Sequence, residues 1–117
     1  MFRIDVQNLS KKFKSTVALD DVSFSVAEGE IFGFLGPSGA GKTTTINILT
    51  NQLKEDSGVV EILGKNPDQI TPDDYLKIGI MSDTVGFYEN MTVYKNLEFF
   101  ARFHGVPMAK VDELLKR

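Results

Sequence analysis

Gly36-Pro37-Ser38-Gly39-Ala40-Gly41-Lys42-Thr43 sets three glycines, an ammonium group and two hydroxyls within eight residues. The order is glycine, four residues, then glycine-lysine-threonine, which is the pattern of a phosphate-binding loop. Glycines at 36, 39 and 41 lack a Cβ, so the chain can curl there and aim successive backbone N–H groups inward. Those donors, together with the start of a following helix, favour negative phosphates. Lys42 adds a mobile positive charge for the β- and γ-phosphates, and the Thr43 hydroxyl can ligate Mg²⁺. Ser38 and Thr44 are supporting donors, and Pro37 and Ala40 complete the cradle. The pattern predicts that a nucleoside triphosphate binds here.

Such a loop works only between a strand and a helix, and the flanking residues have those patterns. Residues 31–35, Ile-Phe-Gly-Phe-Leu, are apolar on both faces and predict a central strand covered on both sides. After the loop, Ile46, Leu49 and Leu53 recur at helical spacing, with threonines in the first turn. Upstream, Ile4, Val6 and Leu9 predict a half-buried strand, residues 11–15 a basic turn, and Val22, Phe24 and Val26 a second strand with one wet face. Downstream, residues 56–58 read as a turn and 59–63 as a strand. Thr71-Pro72-Asp73-Asp74 reads as a helix start with proline at the first position. Residues 78–81 form a short apolar strand in this reading, and 82–91 a polar loop containing Phe87 and Tyr88. Thr92 is placed to cap a helix through His104 that Gly105 ends, with Val93, Leu97, Phe100 and Ala101 along one side. A last amphipathic helix begins at Pro107. No repeat, linker or low-complexity tract interrupts the chain.

Composition narrows the alternatives. At 117 residues the chain is of single-domain size, with 42% apolar and 25% charged content typical of a folded protein. It contains no cysteine, so disulfides, thiolate metal sites and cysteine catalysis are excluded. One histidine, His104, leaves little for a zinc site or a Ser/His relay, and it reads as a helix-end residue. A net charge of −3 offers no footprint for nucleic acid. No apolar run reaches the roughly 20 residues of a membrane span. Asp5 stands where a signal peptide would have its apolar core, so a cytoplasmic location is expected.

The wider wording resembles the ATP-binding subunit of an ABC transporter. Asn8-Leu9-Ser10-Lys11-Lys12-Phe13, Ala18-Leu19-Asp20-Asp21-Val22-Ser23-Phe24 and the run from Gly29 to Thr44 carry the likeness. Ser57-Gly58, Ile78-Gly79 and Met91-Thr92-Val93-Tyr94-Lys95-Asn96-Leu97 continue it, so that it covers nearly the whole chain. The resemblance implies an α/β fold of the P-loop NTPase type. An N-terminal antiparallel β subdomain would join the P-loop strand and helix, leaving the core sheet incomplete. Residues 1–117 would be the N-terminal portion of the nucleotide-binding domain.

The resemblance also implies ATP and Mg²⁺ as ligands, a transmembrane permease subunit and a second ATP-binding subunit as partners, and a place at the inner face of the membrane. Phe13 stands where the family puts an aromatic that stacks on adenine; its plainer role is packing at a strand end. Asp83 stands where the family usually has a glutamine that reaches the γ-phosphate, Mg²⁺ and water. A carboxylate there could ligate Mg²⁺ but cannot donate a hydrogen bond as an amide does; its plainer role is an exposed loop residue. The polar loop beyond Asp83 would face the membrane partner, and the wording from 78 to 86 resembles a branch associated with antibiotic-peptide export.

The family's aspartate–glutamate pair, its LSGGQ-type signature and its histidine switch have no counterpart in these residues. Binding without hydrolysis, and pairing or segment exchange through an unpaired strand edge, are therefore expected. Two other functions compete: a soluble ABC-type ATPase acting on DNA or ribosomes, and a P-loop metabolite kinase. The acidic balance disfavours the first. The kinase would need an arginine-bearing lid, and only Arg3, Arg102 and Arg117 exist.

Overall fold

In a computed structural model, residues 1–37, 39–81 and 86–117 are described. They form two compact units, 1–74 and 75–117.

The first unit is built on a long β-hairpin. Strand β1 spans Phe2–Phe13 and β2 spans Thr16–Ala27, paired antiparallel from Phe2↔Ala27 to Phe13↔Thr16. The turn is therefore only Lys14-Ser15, with Lys14 at φ 50, and not the five residues from 11 to 15. Pairing carries both lysines into the ladder: Lys12 is exposed, while Lys11, on the opposite face, pairs with Asp56. Strand β3, Ser57–Ile62, lies antiparallel on the other side of β1, giving the order β2-β1-β3.

Irregularities in the ladder are satisfied by side chains. The β1·β2 register shifts between Val6 and Leu9, and Asn8 has a positive φ. Its freed N–H donates to Ser23 Oγ at 2.9 Å, its side-chain amide donates to Asp21 Oδ1 at 2.7 Å, and the Asp21 N–H donates to Ser10 Oγ at 2.9 Å.

Helix α1, Lys42–Leu49, packs on β2 and β3. Val6, Leu9, Leu19, Ile48 and Val60 are buried, and so is Thr45. Thr45 is accommodated because its hydroxyl donates to Gly41 O at 2.9 Å. Helix α1 buries Ile48 and Leu49 and exposes Ile46, so its inner face differs from the one that Ile46 and Leu53 suggested; the helix ends at Leu49, before Leu53.

The clearest departure from the sequence reading is at residues 31–35. They belong to no ladder, since no backbone among the described residues runs alongside them. Their alternation nonetheless survives. Phe32 and Phe34 turn to the same side and meet Phe24, with ring centroids 5.4 and 5.2 Å away. Ile31 and Leu35 face outward, 100% and 95% exposed.

The unit closes with helix α2, which begins at Pro72 as its proline predicts and runs Pro72–Tyr75. The Asp74 carboxylate accepts from Thr71 N–H at 3.0 Å and Thr71 O–H at 2.9 Å, and from Lys65 Nζ at 2.7 Å. The Lys65 ammonium, then the Thr71 donors, hold its pKa well below the usual carboxylate range.

In the second unit, residues 78–81 likewise make no ladder. Helix α3, Val93–Phe103, has Thr92 as its N-cap, the hydroxyl accepting from Lys95 N–H at 3.1 Å. It ends at Gly105, φ 68, where Val106 N–H donates to Ala101 O and Gly105 N–H to Arg102 O. Helix α4, Met108–Leu115, packs on it, with Ala101 and Val111 buried.

Val93 is exposed, whereas Asn96 is buried. The Asn96 Oδ1 accepts from Tyr88 N–H at 2.9 Å, while Nδ2 donates to the carbonyls of Tyr88, Met91 and Thr92 at 3.0–3.2 Å. One amide thus ties the preceding loop to the helix. Asp83 lies outside the described residues.

Candidate nucleotide-binding site

Helix α1 opens with a bare end. Its N-cap is Gly41, which has no side chain to satisfy the first-turn amides, and that turn contains no acid. The first N–H groups and the helix dipole are left to favour an anion.

Glycine at 41 is dictated twice. Its φ is +94, and a Cβ there would stand 2.8 Å from Ala18 O and 2.6 Å from Leu19 Cδ2. The close approach seats the loop on β2. Gly39 has φ +84, and Ala40 N–H donates to Pro37 O at 3.1 Å, closing the turn. A Cβ on Gly36 would stand 3.0 Å from that of Ala40. Across the curl, Lys42 Nζ donates to the carbonyls of Gly36 and Pro37. The ammonium therefore lies against the backbone of the loop.

The loop and helix form one wall of a cleft of about 390 Å³, a volume within the range of small-molecule sites. Gly39, Gly41, Lys42, Thr43 and Thr44 line that wall, and Thr43 is exposed at the helix start. The opposite wall is Thr16, Val17 and Ala18, the first residues of β2. Sequence reasoning missed these three because it began the second strand at Val22. The β-branched pair Thr16-Val17 was the available signal.

Phe13 does not line the cleft. It ends β1 directly opposite Thr16 and is 43% exposed, so its ring stands at the rim. Lys11 Nζ lies 5.5 Å from that ring's centroid and 3.2 Å from Asp56 Oδ1, while the other Asp56 oxygen accepts from Lys12 N–H at 2.7 Å. The Lys12 N–H, then Lys11, lower the Asp56 pKa. Ser38, like Asp83, is outside the described residues.

A family model described as ABC transporter matches residues 19–117, most of the chain and all of α1 with its loop. The chain belongs to the ABC transporter family. Among ABC relatives, the ATP-binding protein YhcH of Bacillus subtilis (strain 168) is 38% identical over 114 residues, covering 97% of this chain and 37% of the relative. The bacitracin transport ATP-binding protein BcrA of Bacillus licheniformis is 37% identical over the same shares.

A solved ATP-binding subunit of an ABC transporter superposes with a TM-score of 0.75 at 27% identity, over 93% of this chain and 45% of that one. The P-loop NTPase fold follows, with an antiparallel sheet beside the loop and helix and an incomplete core sheet. The chain spans 37% of the length of the first of these relatives. ATP is the nucleotide of this family.

Proposed function

We propose that this chain is the ATP-binding part of an ABC transporter, holding the triphosphate of Mg·ATP on the backbone N–H groups of residues 39–44 at the start of α1. The observation that supports it most directly is the side-chain-free Gly41 cap beside the Lys42 ammonium. In this reading Gly36, Pro37, Ser38, Gly39, Ala40 and Gly41 form the cradle, Lys42 meets the outer phosphates, and Thr44 assists from the first turn. Thr43, exposed at the helix start, fits Mg²⁺ as a single hydroxyl ligand, since that ion takes its remaining oxygens from phosphate and water. Asp83 would be a second ligand. Bound there, Mg²⁺ neutralises charge on the phosphates. Phe13 stacks on the adenine from the rim.

Phosphoryl transfer depends on positioning the nucleophile and stabilising charge. The 117 residues contain no counterpart of the family's aspartate–glutamate pair, so they bind ATP without measurable turnover. In the whole protein, a permease subunit in the membrane and a second ATP-binding subunit complete the machine at the inner membrane face. Among the described residues no helix is long and apolar enough to cross a membrane. The name of the BcrA relative supports export of a drug or antibiotic peptide as the transport class. The bare outward side of residues 31–35 supports self-association of this chain.

Calorimetric titration with Mg·ATP tests the site. Lys42→Ala is expected to weaken binding at least about tenfold, because a charge-assisted contact to phosphate is lost. Equal affinity of both forms would overturn the cradle.

A further inference from the structure

Three connections converge on Asp56, a residue outside the phosphate loop. It sits in the segment that leads from α1 to β3. Its own N–H donates to Ser10 O at 3.1 Å, one carboxylate oxygen accepts from Lys12 N–H at 2.7 Å, and the other pairs with Lys11 Nζ at 3.2 Å. These tie it to three successive residues of β1, Ser10, Lys11 and Lys12, which lead directly to Phe13. The Lys11 ammonium is held at once by Asp56 and over the Phe13 ring, 5.5 Å from its centroid. The Lys11 side chain is 14% exposed, and the Asp56 side chain it pairs with is 48% exposed.

The consequence is geometric. Phe13 closes the hairpin opposite Thr16, and Thr16 lines the cleft. The segment following the phosphate-loop helix therefore adds, through the Asp56 carboxylate, a second hold on a strand end that the hairpin ladder already pairs up to Phe13 and Thr16. The Lys12 N–H, then the Lys11 ammonium, favour the ionised form of that carboxylate.

We propose that Asp56 is a positioning residue that holds Phe13 at the cleft rim, and so sets this site's preference for a triphosphate bearing a base over a bare triphosphate. The proposal rests on the ATP-binding reading above. Lys11 covers the ring from one direction, and the exposed remainder is what a base stacks on. Asp56 itself touches no ligand. Losing it loosens the platform but leaves the backbone N–H groups of residues 39–44 in place.

The test compares affinities of the 117-residue chain for Mg·ATP and for inorganic tripolyphosphate with Mg²⁺, by calorimetry. The original chain is expected to prefer ATP. Asp56→Ala is expected to weaken ATP binding about fivefold or more, a fraction of what base–aromatic stacking provides, with tripolyphosphate affinity unchanged within about twofold. Lys11→Met, which keeps the Asp56–Lys12 contact, is expected to move ATP binding the same way by less. It also serves if Asp56→Ala fails to fold. In a Phe13→Ala background, Asp56→Asn is expected to have no further effect on the ratio.

An unchanged ratio in both Asp56→Ala and Lys11→Met, or an equal loss for both ligands, would overturn the positioning role. Failure of the original chain to bind tripolyphosphate, or indifference of that binding to Lys42→Ala, would overturn the underlying phosphate site instead.

Discussion

Lys42 and Asp74 illustrate how differently charge is used within one unit. The Lys42 ammonium is held by the neutral carbonyls of Gly36 and Pro37, contacts that phosphate oxygens can replace with stronger charge-assisted ones. Asp74 is instead fully engaged, receiving Lys65 and both Thr71 donors. Because its pKa is lowered in the folded chain, the unfolded chain takes up the proton first as pH falls. Its stabilisation is thus complete above about pH 5 and is lost progressively below it. Asp74→Asn is expected to lower the melting temperature at neutral pH and to flatten its decline between about pH 5 and about pH 2. Thermal melts by circular dichroism at several pH values check this; parallel curves for the two proteins would contradict it.

At the scale of elements, the start of α2 and both ends of α3 were legible because they are set by local groups, whereas α1 stops short of Leu53. Pro72, Thr92 and Gly105 each act within about one turn, and the structure has all three in those roles. Helix faces were less legible, because burial depends on the neighbour. Asn96 takes the inner position on α3 that apolar spacing would have given to Val93, since the Tyr88 backbone needs partners there. Asn96→Leu, close in size but without hydrogen bonds, leaves those groups unsatisfied and is expected to cost about 1–3 kcal/mol. Chemical denaturation measures that loss. It would also speed hydrogen exchange at the Tyr88 amide.

At the scale of the whole molecule, Ile31 and Leu35 give the first unit an exposed apolar surface among the described residues. Phe32 and Phe34 already rest on Phe24, so Ile31 and Leu35 form the free side of a strand-like segment lacking a ladder partner. A chain with such an edge is expected to associate as concentration rises. Ile31→Ser with Leu35→Ser is expected to shift sedimentation velocity profiles toward the monomer while leaving Mg·ATP affinity nearly unchanged. A monomer at all concentrations for the original chain would remove the self-association proposal.

The sequence alone determined the start of the helix after Gly41, the caps of later helices and the family, because each depends on residue type at short spacing. It could not determine that the first hairpin runs to Phe13 and Thr16, or that β2 supplies the far wall of the cleft. Those outcomes depend on register between distant residues. Nor could it show that an apolar run as strand-like as 31–35 would lack a ladder. A strand is completed by the backbone beside it, and only the tertiary arrangement decides whether one is there.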